Sequence, residues 1–304
     1  MFSLEKVREF FKGEISISEP LARFTTFKIG GPADYYLEPR DKMDLLRLVK
    51  YLKDINYPFF VIGNGSNVLI SDEGIRGVVI NLERGFSKIE IKGNHVFAEA
   101  GVRLSKFVDE CIEASLVGAE ALAGIPGTLG GAILMNAGAY GKEISDFIID
   151  VEVIDDTGLK VLPKSKCGFA YRKSGLENKI IIAANFQLPT GDKEKAKKRR
   201  RELLIKRNLS QPVEFPNAGS IFKNPPEGFA AKFIEDAGLK GLSIGGAKVS
   251  EKHANFIINY NNARATDILK LIKIVRKKVY EKFGVHLELE VKLLGFDEEK
   301  VLLK

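Results

Sequence analysis

The spacing of apolar positions in the first half of the chain predicts helices alternating with short strands. Residues 41–54 place four apolar side chains on one helical face behind Asp41, which is of a type that caps helices well. Residues 103–115 form a second amphipathic pattern, and residues 89–101 alternate as two strands around a Gly-Asn turn. Further β-prone runs follow, so the pattern predicts a mixed α+β region that ends near Leu188.

The second half has a different order of elements. A short helix is predicted over "EGFAAKFIEDAG" and a strand over "HANFIINY". Thr266 is placed to cap a longer amphipathic helix, and Gly284 is placed to end it. The closing segment "VHLELEVKLLG" alternates in part and predicts a final strand. A second, smaller α+β domain is therefore expected.

The composition is that of a soluble globular protein. Of 304 residues, 45% are hydrophobic and 29% are charged. The two cysteines, Cys111 and Cys167, fit neither a disulfide framework nor a paired metal spacing, which favours a reducing compartment. The N-terminus lacks an apolar signal core, and no run approaches the roughly 18 apolar residues of a membrane span. We expect a cytoplasmic protein without membrane insertion.

The net charge of +7 is concentrated in one segment. Residues 192–207 contain nine basic and three acidic residues, so this segment carries +6 of the total. Such a helix could bind a phosphate backbone, but runs of this kind are more often the solvated face of a domain connector. No aromatic residues are interleaved with the charges, which argues against nucleic acid. The domain boundary is expected inside or just after this helix.

The segment "VIGNGSNVLISD" is the first candidate for ligand chemistry. A predicted strand runs into Gly63, Asn64, Gly65, Ser66 and Asn67, and another strand follows. Glycines let a backbone turn tightly and present N–H groups to an anion. The third glycine of a Rossmann fingerprint is missing, and no helical pattern follows. These residues alone leave a phosphate-binding loop and a plain turn between strands equally open.

The stretch from Gly118 to Gly141 is unusually rich in glycine. Such a run is entropically costly unless a close-fitting neighbour requires it. Apolar residues are interleaved with the glycines, whereas a linker would be polar. A buried backbone wall against a large, flat ligand is therefore favoured over a flexible linker.

Three further segments hold side chains that suit catalysis. "PNAGSIFKNP" places Ser220 and Lys223 between two stiffening prolines, and "FAYRKS" places Tyr171 and Arg172 before a predicted turn. Glu290 lies in an otherwise apolar strand. Surface turns and a water-facing glutamate remain the alternative interpretations. The three histidines are isolated, so neither a metal site nor a Ser-His-Asp arrangement is predicted.

Eight segments, taken in order, resemble the family of UDP-N-acetylenolpyruvoylglucosamine reductases. They extend from about Thr25 to Gly295, nearly the whole chain. The combination of two glycine stretches with the serine-bearing loop distinguishes this family from other flavin oxidases. The segments are "TTFKIGGPADYYLEP", "VIGNGSNVLISD", "GIPGTLGGAILMNAGAYG", "FAYRKS", "QPVEFPNAGSIFKNP", "AAKFIEDAGLKG", "VSEKHANFIIN" and "LELEVKLLG".

The resemblance implies an α+β fold with a flavin domain first and a substrate domain second. The first, residues 1–190, would be an FAD-binding domain of the vanillyl-alcohol-oxidase type, with α+β subdomains at about 18–85 and 86–190 and the FAD between them. Residues 191–207 would be the basic connecting helix, and residues 208–304 the smaller α+β substrate-binding domain. No long insertion follows "YRKS", as in the shorter subtype of the family, which lacks a tyrosine-bearing lid loop.

The resemblance also implies which residues contact the cofactor. Residues 63–67 would wrap the pyrophosphate, two parts of the glycine-rich stretch would line the flavin, and residues 26–32 would close the near side. Ser66 stands where some relatives carry a histidine that binds flavin covalently, so noncovalent FAD is expected. The full predicted set is Thr26, Gly30, Gly31, Gly63, Asn64, Gly65, Ser66, Asn67, Gly124, Ile125, Pro126, Gly127, Asn136, Ala137, Gly138, Ala139 and Tyr140.

The reaction implied is reduction of an enolpyruvyl ether on a UDP-linked amino sugar, with NADPH as hydride donor, in peptidoglycan synthesis. Arg172 would bind the substrate carboxylate, Ser220 would donate a proton, and Glu290 would assist if burial raised its pKa. Weaker candidates for contacts to substrate or nicotinamide phosphate are Tyr171, Lys223, Asn224, His253 and Asn255.

Two alternatives and several expectations accompany this interpretation. The chain could instead be a flavin-dependent oxidase of the same fold with another small substrate, or a nonenzymatic nucleotide-binding protein. The expected partners are UDP-N-acetylglucosamine enolpyruvate and NADPH, with neither nucleic acid nor metal, and the expected state is a monomer.

Overall fold

The computed structural model describes residues 2–297, and the chain forms two compact units that are not contiguous in sequence. The first unit comprises Met1–Ile17, Tyr35–Asn64 and Gly77–Arg207, and the second Ser18–Asp34, Gly65–Arg76 and Asn208–Lys304. This differs from the contiguous division expected from the sequence, because two segments of the first half belong to the second unit.

Seven α-helices and sixteen strands lie in the described residues. The helices are α1 Leu4–Phe10, α2 Lys42–Asp54, α3 Leu104–Glu113, α4 Leu129–Leu134, α5 Lys193–Ser210, α6 Ala230–Asp236 and α7 Ala265–Phe283. The strands are β1 Glu14–Pro20, β2 Pro32–Glu38, β3 Phe59–Ile62, β4 Val68–Ile70, β5 Ile75–Asn81, β6 Ile89–Lys92, β7 His95–Glu99, β8 Gly138–Ala139, β9 Lys142–Glu143, β10 Ile148–Asp155, β11 Gly158–Pro163, β12 Ile180–Gln187, β13 Ser243–Ile244, β14 Ala247–Val249, β15 Ile257–Asn259 and β16 Lys292–Leu294.

The first unit is built around a five-stranded antiparallel sheet in the order β11-β10-β12-β7-β6. A four-stranded sheet has the order β1-β2-β5-β3, with β3 and β5 parallel. The predicted helix α2 is confirmed: the Asp41 carboxylate accepts a hydrogen bond from the Asp44 backbone N–H, at 2.9 Å. The apolar face of α2 is buried, and so is that of α3. The helical spacing of apolar residues therefore predicted both helices correctly.

The second unit has a core of its own beneath α7 and the antiparallel sheet β13-β14-β15. The apolar face of α7 is buried, and Gly284 ends it in the left-handed conformation with φ 70°. The predicted cap at Thr266 is wrong, because the N-cap is Arg264. The Asp72 carboxylate accepts from the backbone N–H groups of Ala265 (2.7 Å) and Thr266 (3.1 Å), so a distant acid replaces the local hydroxyl.

The final predicted strand is shorter than its pattern indicated. Only Lys292–Leu294 is strand, and it pairs in parallel with β4, with Lys292 opposite Val68. Leu289 forms an isolated bridge with Phe222. The predicted strand "VHLELEVKLLG" is therefore divided between two partners, Phe222 near its middle and β4 near its end, and is not one continuous strand. Among the helices of the described residues, none is long and apolar enough to cross a membrane.

Candidate active site

The loop from Gly63 to Asn67 connects β3 to β4 through backbone that only glycine can supply. Gly65 has φ +59°, and a Cβ there would lie 2.3 Å from the Phe24 carbonyl oxygen. The backbone N–H of Thr26 donates to the Gly65 carbonyl at 3.2 Å. Two segments that the sequence assigned to the cofactor, residues 26–32 and 63–67, thus touch at these residues of the second unit.

The remaining residues of the near-side segment pack against the chain that follows this loop. Gly30 has φ +144°, and its neighbour Gly31 donates from its backbone N–H to the Ser71 carbonyl at 2.8 Å. A Cβ at Gly31 would lie 2.2 Å from the Asp72 carbonyl oxygen. Both glycines are therefore required by close contact within the second unit.

In the first unit the loop begins against the glycine-rich stretch. A Cβ at Gly63 would lie 2.1 Å from the hydroxyl oxygen of Thr128, the residue after Gly127. Gly127 itself has φ +140°. The start of the predicted pyrophosphate loop thus contacts the glycine-rich stretch directly after the first residues predicted to line the flavin.

The glycine-rich stretch contains ordered structure that the pattern did not predict. Helix α4 lies inside it, and β8 and β9 form a hairpin at its end. Tyr140 and Gly141 connect these strands with φ +51° and +78°, as two-residue hairpin turns require. Tyr140 is 43% exposed, and the ammonium group of Lys206 lies 5.4 Å from its ring centroid.

The basic helix α5 packs along the first unit through ion pairs. Lys193 and Lys197 both contact the Glu113 carboxylate of α3, at 2.6 and 2.9 Å, and these hydrogen bonds lower the pKa of Glu113 to about 2. Arg200 donates to Asp109, one turn earlier on α3, at 2.9 Å. Part of the basic charge is therefore matched by an acidic face of the same unit.

The turn that holds Tyr171 and Arg172 is tight and strained at the arginine. Ala170 and Lys173 exchange backbone hydrogen bonds of 3.0 and 3.1 Å across it. Arg172 has φ +55°, an uncommon conformation for a residue other than glycine, and its guanidinium carbon lies 5.2 Å from the Tyr171 ring centroid. Tyr171 is 48% exposed.

Asn136, predicted to line the flavin, has its side chain engaged within the first unit. It is 1% exposed, and its amide nitrogen donates to the Glu143 carboxylate at 2.7 Å and to the Ala170 carbonyl at 3.1 Å. Its amide oxygen accepts from the Ser145 backbone N–H at 3.3 Å. The side chain therefore connects the glycine-rich stretch to the turn of Arg172.

The loop of Ser220 is held by two asparagines in the second unit. The Asn217 side-chain oxygen accepts from the Gly219 backbone N–H at 2.9 Å. Asn255, 4% exposed, accepts from the Phe222 backbone N–H at 3.0 Å and donates to the Phe222 carbonyl at 2.7 Å. Its amide therefore pairs with Phe222 as a neighbouring strand would, and its side chain supports the Ser220 loop rather than facing a ligand.

Glu290 lies beside this loop because of strand pairing. Its backbone N–H donates to the carbonyl of Ile221, the residue after Ser220, at 2.8 Å. Its carbonyl accepts from the side-chain amide of Asn67 at 3.0 Å. The parallel pairing of β16 with β4 accounts for the contact with Asn67, and the bridge between Phe222 and Leu289 accounts for the contact with Ile221. The backbones of Ile221 and Glu290 and the side chain of Asn67 thus come together although they are far apart in sequence.

The weaker candidates are placed as follows. The Lys223 ammonium group pairs with Glu288 at 2.5 Å, and the Asn224 side chain accepts from the Ala230 backbone N–H at the start of α6. Burial lowers the pKa of His253, whose ring meets Phe256 edge-on at 4.8 Å. Glu288 was missed by sequence reasoning, although its position two residues before Glu290 on an alternating segment was a usable signal.

The residues fit noncovalent FAD. In the second unit the predicted cofactor residues 26 and 65 are in contact, and in the first unit residue 63 contacts residue 128, which directly follows the predicted residues 124–127. The chain backbone approaches closely at glycines, as phosphate-binding loops require, and residues 63–67 contain no histidine for a covalent link. In residues 2–297, no cluster of histidine, cysteine or acidic side chains could hold a metal ion.

Two family models match the chain. The model described as an FAD binding domain matches residues 33–161, which include the 63–67 loop and the glycine-rich stretch. The model described as the C-terminal domain of UDP-N-acetylenolpyruvoylglucosamine reductase matches residues 211–294, which include Ser220 and Glu290. Tyr171 and Arg172 lie outside both.

Curated relatives match over almost the whole chain. UDP-N-acetylenolpyruvoylglucosamine reductase of Chloroherpeton thalassium is 48% identical, over 98% of this chain and 99% of its own. The protein of the same name from Caldanaerobacter subterraneus is 47% identical, over 96% and 98%. The crystal structure of UDP-N-acetylenolpyruvylglucosamine reductase from Thermus caldophilus is 37% identical and matches with a TM-score of 0.81, over 94% of this chain and 100% of that one.

Proposed function

The chain belongs to the family of UDP-N-acetylenolpyruvoylglucosamine reductases, and we propose that Arg172, Ser220 and Glu290 carry the second half of its reaction, with NADPH as the electron donor. It is an FAD-dependent oxidoreductase of α+β fold that acts on the enolpyruvyl ether of UDP-N-acetylglucosamine in peptidoglycan synthesis.

When bound, FAD would supply the redox chemistry, which is hydride transfer from the reduced nicotinamide to the terminal carbon of the enolpyruvyl group. Residues 63–67 and the glycine-rich stretch would hold the cofactor, the former at its pyrophosphate and the latter along its ring. Two electrons and one proton reach the substrate from NADPH as the hydride, so one further proton is needed at the neighbouring carbon.

Arg172 would stabilise the negative charge that develops on the substrate carboxylate after hydride addition. A guanidinium group matches a carboxylate through two parallel N–H donors, which fixes orientation as well as charge. The left-handed backbone at Arg172 supports this role, because strain of this kind persists where surrounding contacts enforce it and clusters at functional sites. Each preorganised donor of this type contributes about 2.7–4 kcal/mol in well-studied sites.

Ser220 would deliver the proton that completes the reduction, and solvent would return a proton to its oxygen. The observation that carries this proposal is the backbone contact of Glu290 with Ile221, the residue after Ser220, together with the bond from Asn67 to the Glu290 carbonyl. These contacts make one predicted cofactor residue and the segments of two predicted catalytic residues neighbours in the second unit. Glu290 would favour the developing charge only when protonated. Lys223 is paired with Glu288, and this pairing does not support a direct role in proton transfer.

The basic helix and the cysteines bear on the finer expectations. Ion pairs from α5 to Asp109 and Glu113 support a structural use of the basic charge. Both cysteines are free and buried, and burial raises the pKa of Cys111 to about 12, so its thiol is unreactive. Two free, buried thiols support the proposal that the protein works in a reducing compartment, the cytoplasm.

Absorbance measurements on one sample, with additions made in turn, test the proposed electron donor and acceptor. Purified protein should show flavin absorbance, lose it on anaerobic addition of NADPH, and regain it on addition of UDP-N-acetylglucosamine enolpyruvate. Reduction by NADH at an equal rate would contradict the donor assignment. Fast reoxidation by oxygen with no response to the UDP sugar would instead favour an oxidase of the same fold.

A further inference from the structure

The turn that carries Arg172 is attached at both ends to one short part of the glycine-rich stretch. At its start, the Asn136 amide donates to the Ala170 carbonyl at 3.1 Å. At its end, the Ser174 hydroxyl donates to the Leu134 carbonyl at 2.8 Å. Residues 134–136, which begin with the last residue of α4, thus hold the turn from two sides.

The Asn136 contact is buried and specific in direction. The side chain is 1% exposed, so water cannot replace the hydrogen bonds that it makes. Its amide nitrogen has two hydrogens, which match its two acceptors, the Ala170 carbonyl and the Glu143 carboxylate. The Ser145 backbone N–H orients the amide by donating to its oxygen. Rotation of the amide would therefore break all three contacts at once.

The conformation of Arg172 makes such an attachment necessary. A left-handed backbone costs about 1–2 kcal/mol for a residue with a Cβ, so an isolated turn would relax away from it. The bond from Asn136 fixes the peptide two residues before Arg172, and the bond from Ser174 fixes the residue two positions after it. The neighbouring contacts can thus hold the strained conformation.

We propose that Asn136 is a positioning residue for Arg172: through the Ala170 carbonyl it holds the turn that aims the guanidinium group at the substrate carboxylate. The proposal rests on the carboxylate-binding role of Arg172 proposed above. It gives the glycine-rich stretch a second task besides lining the cofactor, which is to set the orientation of a residue that binds substrate.

The experiment compares ligands that differ in the carboxylate. Isothermal titration calorimetry on the oxidised holoenzyme measures the affinity for UDP-N-acetylmuramate, which has the carboxylate, and for UDP-N-acetylglucosamine, which lacks it. Asn136→Ala should weaken binding of the first by about 10-fold and leave the second within about twofold. Flavin reoxidation by the enolpyruvyl substrate should slow by about 10- to 100-fold, while reduction by NADPH stays near normal.

A double-mutant cycle separates positioning from independent effects. If Asn136 acts only through Arg172, Asn136→Ala combined with Arg172→Ala should bind UDP-N-acetylmuramate no more weakly than Arg172→Ala alone. Additive losses would overturn the proposal. Asn185→Ala is the matched control: it removes another amide hydrogen bond of the first unit, to Asp150 at 2.7 Å, and should leave carboxylate selectivity unchanged.

A second variant and the binding of both nucleotide sugars also test the positioning role. If Asn136→Ala does not fold, Ser174→Ala removes the other attachment and should show a smaller loss with the same carboxylate selectivity. Equal weakening of both nucleotide sugars, or loss of FAD affinity with selectivity intact, would contradict positioning. If Arg172→Ala itself keeps full selectivity for the carboxylate, the proposed role of Arg172 fails, independently of Asn136.

Discussion

The segments of Ser220 and Arg172 are both held by a buried asparagine, yet they are built in opposite ways. The Asn255 side chain makes both of its hydrogen bonds to one residue, Phe222, and so fixes a short piece of backbone beside Ser220. Asn136 makes its three contacts to two separate segments, residues 143–145 and the turn of Arg172. A buried asparagine can thus act as a local strand partner or as a junction.

The two segments also differ in where the backbone strain lies. In the Ser220 loop the positive φ falls on Gly219, at +75°, where it carries no Cβ penalty. In the turn it falls on Arg172 itself, at +55°. The proposed proton donor, Ser220, therefore follows a glycine that takes the positive φ, whereas the proposed carboxylate-binding residue, Arg172, depends on its surroundings for its conformation. The predictions below test this difference, beginning with the largest effect.

Replacing Ser220 with alanine should affect the protonation step alone. We expect a loss of about 10²- to 10⁴-fold in the rate of flavin reoxidation by substrate, because a positioned general acid contributes that much. Reduction by NADPH and thermal stability should be nearly unchanged, since the loop backbone is held by Asn217 and Asn255. Stopped-flow absorbance under anaerobic conditions measures both half-reactions. Equal losses in the two would remove Ser220 from the proton-donor role.

Replacing Arg172 should affect the same half-reaction by a different cause. Arg172→Ala should slow reoxidation by about 10²- to 10³-fold, because a preorganised donor to the developing charge is lost. Arg172→Lys should recover only part of this rate, since an ammonium group lacks the planar pair of donors. Anaerobic stopped-flow again provides the measurement. Full recovery in the lysine variant would show that charge alone suffices and that the geometry of the turn is unimportant.

Asn255→Ala should lower the free energy of unfolding by about 2–4 kcal/mol, because it leaves the buried N–H and carbonyl of Phe222 without these bonds. Urea unfolding monitored by circular dichroism measures the change. Asn224→Ala is the control, since that exposed residue only caps α6 and should cost about 1 kcal/mol. If the two variants are equally stable, the description of Asn255 as a strand-like partner is wrong.

The location of backbone strain has its own test. Gly219→Ala should destabilise by about 1–2 kcal/mol through strain alone, because a Cβ there would meet nothing within 4 Å. The same order is expected at position 172: Arg172→Gly should be more stable than Arg172→Ala by about 1 kcal/mol. Chemical unfolding of the variants decides this, and an alanine variant at 172 as stable as the glycine variant would refute the strain.

The smallest effect concerns His253, in the same segment as Asn255. Burial, with a contribution from Lys240, lowers the pKa of His253 below 6.5, so the folded protein binds this proton less readily than the unfolded chain. The free energy of unfolding should therefore fall as the pH drops below about 6.5. Urea unfolding at pH 7.5 and 5.5 should show a weaker pH dependence in His253→Gln, and an identical dependence in both proteins would argue against the shift.

Sequence patterns predicted the elements better than their ends and partners. Helices α2 and α3 and the hairpin β6–β7 were found because apolar period alone selects them. Helix α4 was missed because it contains two glycines, and glycine is a poor helix former. Its formation depends on packing against residues that are distant in sequence. The cap of α7 was assigned to Thr266 because a carboxylate from Asp72 is invisible at a sequence distance of 193 residues.

For the site, the residue types were predictable and their uses were not. Ser220, Arg172 and Glu290 were singled out by motif and by resemblance, and their roles remain predictions. Asn136 and Asn255 were expected to face ligands, yet their amides are bonded to the backbone carbonyl of Ala170 and to the backbone of Phe222. Side-chain direction depends on which buried polar groups lack partners, and that depends on the folded chain.

The sequence by itself determined the two glycine segments, the apolar faces of the helices and the family, because these depend on local conformation and on the order of motifs. Only the tertiary structure decided that β4 pairs with β16, and hence that Asn67 reaches Glu290 beside Ser220. It also decided that the stretch around Asn136 holds the turn of Arg172. The physical reason is that buried backbone groups must find hydrogen-bond partners, and those partners are chosen in three dimensions.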